Sequence, residues 1–386
     1  MAYAFEQDEE LKMLRDSVRQ FAETEIAPVA KELDDKEEFS TELTRKMGEL
    51  GLFGCVVSDQ YGGQGMDYLS YIVAVEELAR VDGSQAATVA AHNSLGVAPL
   101  YYYGSEEQKT EYIPALCDGS GLWGFGLTEA EAGSDAQASK TTARYDSAND
   151  EWVINGSKLW ITNSACELTR GITVQAVTGK KENGRAELSC FIVPSKAKGL
   201  TQKAMKEKMM WRSSNTGELY FDDVRVPAKN MLGKQGDGFK QMMETLDNGR
   251  LSIGAMGLGL AKGAFEMTLK YAGERVTFGK PIAKHQAVSF KLAEMATRIE
   301  AAENLLYKAC WLKQSGKPFQ KEAAMAKLYC SEVAEYCARE GQQTFGGYGL
   351  MKEYPIERFY RDAALLRIGE GTSEIQRLVI SRYIGC

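Results

Sequence analysis

The chain of 386 residues contains only two histidines, His92 and His285, and its eight cysteines form no C-x-x-C pair. A zinc site draws on closely spaced Cys and His ligands, so no metal site is expected. Cys55, Cys117, Cys166, Cys190, Cys310, Cys330, Cys337 and Cys386 are scattered, and the expectation is buried free thiols. Cys330 and Cys337 lie seven apart, as a core stripe on a helix would place them. Basic residues are in deficit: 46 Lys and Arg against 53 Asp and Glu, for a net charge of −7. That argues against a nucleic-acid face, which requires a basic stripe. No apolar run approaches the roughly 18 residues a spanning helix needs, so no membrane insertion is expected. Residues 1–10 are acidic and polar and lack a signal-peptide pattern, which makes a cytoplasmic location the expectation. No repeat or low-complexity segment is evident.

What is present is an ordinary globular composition, 44% hydrophobic and 26% charged, in a chain long enough for two or three packed domains. From about Glu6 to about Cys117 the pattern is helical: Leu11, Leu14, Val18, Phe21 and Ala22 recur at spacings of three and four. Near Gly119 the character changes. Trp152-Val153-Ile154 runs into Asn155-Gly156, read as a hairpin turn, and Lys158 to Thr162 follow as the second strand. Residues 171–177, 188–193 and 219–221 add β-rich runs, which predicts a small antiparallel β-barrel. Long helical periodicity returns over 239–273, 284–314 and 321–343, lengths that suit a helical bundle. The expected domains are 1–120, 121–232 and 233–386: mainly α, with a β-barrel in the middle.

Several segments carry chemistry. Glu370 stands between Gly369 and Gly371 and precedes a helix-start pattern, a frame that gives backbone freedom and room for a ligand. It is a candidate catalytic base; a helix N-terminal acid is the structural alternative. Leu127-Thr128-Glu129-Ala130-Glu131-Ala132-Gly133-Ser134-Asp135 offers small residues and amides to a flat polar ligand, or is a surface turn. Trp160, beside Ile161 and Thr162, offers a face to a planar ring, or fills the core. Arg275, Phe278 and Gly279 end one helix where an arginine meets phosphates, or forms a surface ion pair. His285-Gln286 opens the next helix, where free amides favour anions. Phe345-Gly346-Gly347-Tyr348-Gly349 is a glycine-rich turn or simply a helix C-cap.

In this order, these segments resemble the acyl-CoA dehydrogenase family, and the likeness covers essentially the whole chain. The resemblance implies an N-terminal helical domain, a middle β-barrel and a C-terminal four-helix bundle. It implies FAD, an acyl-CoA substrate, electron-transferring flavoprotein as the acceptor, and a homotetramer built as a dimer of dimers. By this likeness Phe125, Leu127, Thr128, Gly133, Ser134, Trp160, Ile161 and Thr162 hold the flavin ring. Arg275, Phe278 and Gln286 meet phosphate and adenine parts, with Gln343, Gly346 and Gly347 contributed across a subunit interface; Thr372 and Glu374 lie near the pyrophosphate. Ser134, Asp247, Asn248, Gly249 and Arg250 touch the CoA arm, and Gly369 and Gly371 flank the acyl group. Glu370 removes the proton α to the thioester carbonyl, and the β-hydrogen leaves as hydride to flavin N5. Hydrogen bonds to the thioester oxygen from the glutamate N–H and a ribityl hydroxyl stabilise the enolate-like state.

The chain departs from the family pattern at informative places. Gly369 stands where many members carry tyrosine. Some branches place the base at the position of Gly249, which cannot serve here. Ala86, Ala87, Ala90 and Ala91 are small in the helix expected to line the acyl pocket, and Ala86 replaces the glutaryl branch's arginine. A short-chain, branched, cyclic or aromatic acyl group is therefore expected. Met209-Met210-Trp211 replaces smaller residues, either shaping a loop near CoA or packing the surface. Two other functions remain open at this point: a flavin-dependent acyl-CoA oxidase, and a non-catalytic paralogue that binds acyl-CoA and FAD.

Overall fold

The computed structural model describes residues 9–386, so most of the acidic stretch read above lies outside the described residues. The helical first part comprises α1 (Glu9–Phe21), α2 (Ala27–Lys36), α3 (Thr41–Glu49), α4 (Tyr68–Ala79), α5 (Gly83–Ala91), α6 (Ala98–Tyr103) and α7 (Glu106–Tyr112). Local chemistry sets the helix starts. The side chains of Ser40, Asp67 and Asp82 accept from the backbone N–H groups of Leu43, Ser70 and Gln85, and Ser105 with Gln108 forms a reciprocal capping box. A π-helical segment, His92–Val97, joins α5 to α6. Such segments displace the side chains that follow and recur at functional sites.

The middle part holds β1 (Leu122–Gly126), β2 (Thr142–Asp146), β3 (Glu151–Thr162), β4 (Thr169–Lys180), β5 (Ala186–Pro194), β6 (Leu200–Ala204), β7 (Thr216–Pro227) and β8 (Met231–Leu232). They form one sheet in the order β6-β7-β3-β2-β4-β5-β8, with β1 on β4. The β-domain expected from the sequence is there, with two differences. First, β1 pairs with β4 in parallel, and all five of its residues are buried. Second, Asn155-Gly156 is not a hairpin turn. β3 runs through it, and the register on β7 shifts between Ile154 and Gly156. Gly156 is needed for close approach: a Cβ there would stand 2.6 Å from Thr141 Oγ1. The hairpin turn lies earlier, between β2 and β3, where Asp150 takes φ 54.

Helices return as α8 (Gly238–Glu274), then the short pair β9 (Val276–Thr277) and β10 (Lys280–Pro281), then α9 (Gln286–Gln314), α10 (Gln320–Phe345), α11 (Ile356–Leu366) and α12 (Ser373–Tyr383). The helical, β, helical order read from the sequence is the observed one, and α8, α9 and α10 fall on the three long periodic runs. One hydrophobic core joins α4, α5, α8, α9, α10 and α11; a separate core fills the β-part. Six cysteines are buried, including Cys330 and Cys337, while Cys166 is half-buried and Cys386 is exposed. Trp211 is only 7% exposed and belongs to the main core, and its backbone N–H donates to Asp362 Oδ1 at 2.8 Å. The Met209-Met210-Trp211 run thus anchors a loop onto α11.

The helical parts are locked together by buried charge. Glu76 and Glu77, both on α4 and fully buried, receive Arg15 and Arg19 from α1, Lys262 from α8 and Tyr307 from α9. Every acid there has several donors, the condition under which buried ions are tolerated. Above this network α8 crosses α4 so closely that a Cβ on Gly259 would meet the Glu76 carbonyl oxygen at 2.1 Å. Replacing Gly259 with alanine is expected to cost about 1–3 kcal/mol in urea unfolding; unchanged stability would show that the helices part freely.

Candidate active site

The turn between α11 and α12 carries the singled-out carboxylate. The N–H groups of Ile368 and Gly369 both donate to Leu365 O at 2.8 Å, which closes α11. The backbone then turns left-handed at Glu370 (φ 52) and Gly371 (φ 92). Gly369 is not left-handed, and a Cβ there would meet nothing nearer than Leu365 O at 3.6 Å. This corrects the expected frame: Gly371 supplies conformational freedom, whereas Gly369 supplies space. A left-handed glutamate is strained by roughly 1–2 kcal/mol and must be held from outside. Lys327 Nζ and Gln376 Nε2 both donate to the Gly371 carbonyl, at 2.6 and 2.9 Å. Thr372 then caps α12 by accepting from Ile375 N at 3.3 Å.

From this turn the carboxylate reaches α8. A Cβ on Gly249 would stand 1.9 Å from Glu370 Oε2, so the acid rests against bare backbone. That oxygen is buried and has no hydrogen-bond partner. Burial pushes the carboxyl up to about 7, against the opposing pull of Lys327 and Arg250. A carboxyl with a buried, unpaired oxygen is suited to proton transfer near neutral pH. Glu370 is not in the first turn of α12, where Glu374 sits exposed. The role of helix-start acid is therefore taken by another residue.

The surrounding α8 residues are fixed from several sides. Arg250 pairs with Asp247, while Arg250 Nε is buried without a partner. Tyr68 OH donates to Asn248 O at 3.0 Å, and Lys313 Nζ donates to Asn248 Oδ1 at 2.5 Å. Leu95, from the π-helical segment, lies 3.2 Å from the position of a Cβ on Gly249. Ser252 Oγ stands 2.9 Å from Gly249 O and 3.1 Å from Ser94 Oγ. Sequence reasoning did not name Lys327, Leu95, Ser94 or Ser252 for this site. Lys327 had a signal: it is a lone charge in the buried stripe of Ala323, Ala324, Cys330 and Ala334.

A second group gathers on the β-part. Leu159 N donates to Thr128 O at 2.9 Å, so residues 127–129 lie beside β3. The buried Lys158 Nζ secures this contact, donating to Leu127 O at 3.0 Å and to Glu129 Oε1 at 2.7 Å. Burial works against ionised Glu129, but Lys158, Ser139 and the Lys140 N–H overcome it and hold the acid at about 2. Phe125, Leu127 and Ile161 are buried, and Thr128 and Thr162 half-buried. Trp160 is 58% exposed with φ 58, beside a register shift between Lys158 and Ile161 that turns it outward. Gly133 and Ser134 are exposed, and a Cβ on Gly133 would meet nothing within 4 Å. An open aromatic face beside a fixed polar loop fits a flat, partly polar ring.

A third group lines a pocket of about 450 Å³ formed by Arg275, Thr277, Tyr271, Phe345, Gly346 and Gly347, among others. The Arg275 guanidinium lies 5.8 Å from the Tyr348 ring centroid. Gln286, Gln343 and Phe278 are exposed, and Phe278 is 96% so. Among the described residues, no hydrogen bond, ion pair or ring contact joins this group to the Trp160 group or to Glu370. Within one chain the expected cofactor residues of the Arg275 group thus have no such contact with those around Trp160 or with the Glu370 turn that carries Thr372 and Glu374.

Three domain models match in order: acyl-CoA dehydrogenase N-terminal domain over residues 8–120, middle domain over 124–224 and C-terminal domain over 236–385. The chain belongs to the acyl-CoA dehydrogenase family. It is 50% identical over 380 residues to a probable acyl-CoA dehydrogenase, YngJ, of Bacillus subtilis, covering 98% of this chain and 99% of that protein. The structure of butyryl-CoA dehydrogenase from Megasphaera elsdenii superposes with a TM-score of 0.94 at 41% identity, covering 98% of this chain and 99% of that one. An acyl-CoA dehydrogenase complexed with FAD from Bacillus anthracis gives 0.92 at 35% identity, covering 99% and 68%.

The raised Glu370 pKa has a stability consequence. The folded acyl-CoA dehydrogenase keeps a proton on this carboxyl that the unfolded chain releases, between about pH 4.5 and 7. Stability contributed by the group is present below that window and lost as pH rises through it. Relative to wild type, Glu370→Gln should be equally stable near pH 4 and more stable by about 1–3 kcal/mol near pH 8. Parallel urea-unfolding profiles for the two proteins would contradict the burial of this carboxyl.

Proposed function

We propose that the protein is an FAD-dependent acyl-CoA dehydrogenase that converts a short-chain, branched or cyclic acyl-CoA to its 2-enoyl-CoA, with Glu370 as the base. The observation that carries this reading is the buried, unpaired Glu370 Oε2 resting on Gly249. A carbon acid next to a thioester needs a base stronger than an ordinary carboxylate, and burial raises Glu370 in that direction. Excluding water by binding the acyl chain extends the same effect.

The residues divide the work. Glu370 takes the α-proton onto its unpaired oxygen, while Lys327 and Gln376 keep its turn rigid through Gly371. Asp247, Asn248 and Arg250, fixed on α8, with Ser134 from the β-part, hold the CoA arm. Phe125, Leu127, Thr128, Gly133, Ser134, Trp160, Ile161 and Thr162 seat the flavin ring, and Thr372 and Glu374 lie near its pyrophosphate. With FAD bound there, these residues would hold a hydride acceptor for the β-hydrogen. The residues fit that group: the Trp160 face is open and its neighbouring loop is locked by Lys158 and Glu129.

The third group belongs to the same reading through assembly. Arg275, Phe278, Gln286, Gln343, Gly346 and Gly347 serve the flavin of a second subunit in a dimer of dimers. Support comes from the exposed apolar side chains around them: Val276, Phe278, Phe290, Leu350 and Met351 are each more than half exposed in the single chain. Electrons leave to electron-transferring flavoprotein. The location is cytoplasmic; no helix among the described residues is long and apolar enough to cross a membrane.

For the acyl group, space beside Glu370 comes from Gly369, where a tyrosine is common in the family. Ala86, Ala87 and Ala90 of α5 are buried in the main core, so they set helix packing there. The test is flavin bleaching by a panel of acyl-CoA thioesters. Butyryl- and branched acyl-CoA should bleach the wild-type flavin, with kcat/KM about tenfold or more above octanoyl-CoA. Glu370→Gln should lose bleaching by about a thousandfold while still binding acyl-CoA. A clear optimum at octanoyl-CoA would overturn the substrate class, and a fully active Glu370→Gln variant would overturn the base.

A further inference from the structure

Lys327 is fully buried on α10, and its side chain forms no ion pair among the described residues. A buried cation without a paired acid is costly and needs a compensating role. Its ammonium group makes one hydrogen bond, 2.6 Å to the carbonyl of Gly371. That carbonyl closes the left-handed pair Glu370-Gly371, and Gln376 from α12 shares it at 2.9 Å. The charged groups around Glu370 are Lys327 from α10 and Arg250 from α8, with the phenols of Tyr68 and Tyr71 nearby on α4; on α12, Glu374 lies in the field of Lys327 and Tyr383 in that of Arg250. Arg250 is already engaged by Asp247, so Lys327 is the cation without a carboxylate contact.

We propose that Lys327 is a positioning residue for Glu370: it clamps the strained turn through the Gly371 carbonyl and holds a positive charge beside the base. The two actions are separable. The clamp keeps the carboxylate on Gly249, pointed where substrate must lie. The charge favours the ionised carboxylate, offsetting part of the burial that Glu370 experiences. Lys327 itself is pushed down to about 8 by burial, with Glu370 pulling the other way, so it still carries its proton at neutral pH.

The inference rests on Glu370 being the base, and the test keeps the two apart. The flavin-loaded holoenzyme of wild type, Lys327→Met and Lys327→Gln is assayed with butyryl-CoA across pH, and acyl-CoA affinity is measured by calorimetry. Met removes donor and charge; Gln removes charge but keeps a donor. In Lys327→Met, kcat should fall about 10–100-fold with acyl-CoA Kd changed less than about threefold. The acidic limb of kcat/KM should move to higher pH in both variants, because losing a neighbouring positive charge makes Glu370 ionise later. Lys327→Gln should recover kcat to within about threefold of wild type above that limb. If Lys327→Met fails to fold, the position of the limb in Lys327→Gln decides. Wild-type limbs in the folded variants overturn the proposal, including the case where rate falls with the limb unmoved, which leaves only a structural role. An inactive Glu370→Gln beside normal Lys327 variants overturns this inference alone; an active Glu370→Gln removes the base on which it rests.

Discussion

The contact of Glu370 Oε2 with the bare backbone of Gly249 is the constraint on which the site depends. It requires a glycine in a long helix, a left-handed residue in the facing turn, and a packing distance that no side chain interrupts. α8 supplies that distance along much of its length. Added Cβ atoms on Gly257, Gly259 and Gly263 would meet the carbonyls of Cys330, Glu76 and Arg80 at 2.8, 2.1 and 2.1 Å. Close approach to α10 at Gly257 also brings Lys327 within reach of the Glu370 turn. A helix whose glycines cost propensity is stable here because packing repays it.

Two buried carboxylates show how the same residue type is set to different tasks. Glu129 has Lys158, a serine hydroxyl and two backbone N–H groups around it and is held at about 2. Glu370 has an orphaned oxygen and cations that do not touch it, and it stands at about 7. The first is a fixed anion that fastens the 127–129 loop to β3. The second can gain and lose a proton near neutral pH. Burial pushes both up; the adjoining charge of Lys158, together with direct hydrogen bonds to the charged form, outweighs it at Glu129, and Glu370 lacks such partners.

Much of this was legible in the sequence. Helical, β and helical stretches were separable by period, and the long runs of α8, α9 and α10 were read almost to their ends, because core-facing stripes there are long and uninterrupted. The Glu370 turn and its capped helix were visible as Gly-Glu-Gly followed by Thr-Ser-Glu. Asn155-Gly156 was misread because a hairpin signal and a bulge use the same residues; only the partner strand decides between them. Lys327, Leu95 and Ser252 were missed because their relation to Glu370 is tertiary, created where α8, α10 and the π-helical segment converge. The left-handed backbone of Glu370 itself was also hidden, since flanking glycines suggest freedom without saying which residue uses it. The family resemblance added cofactor and substrate, which no periodicity contains.

For Glu370 to act as the base, the carboxylate on Gly249 must face the carbon it deprotonates. The most direct measurement is a crystal structure of the flavin-loaded protein with an unreactive thioether analogue of butyryl-CoA. A Glu370 carboxylate oxygen is expected within about 3–3.5 Å of the analogue's C2, with the turn still left-handed and still held by Lys327. A carboxylate turned away, more than about 5 Å from C2, with another side chain in its place, would contradict it.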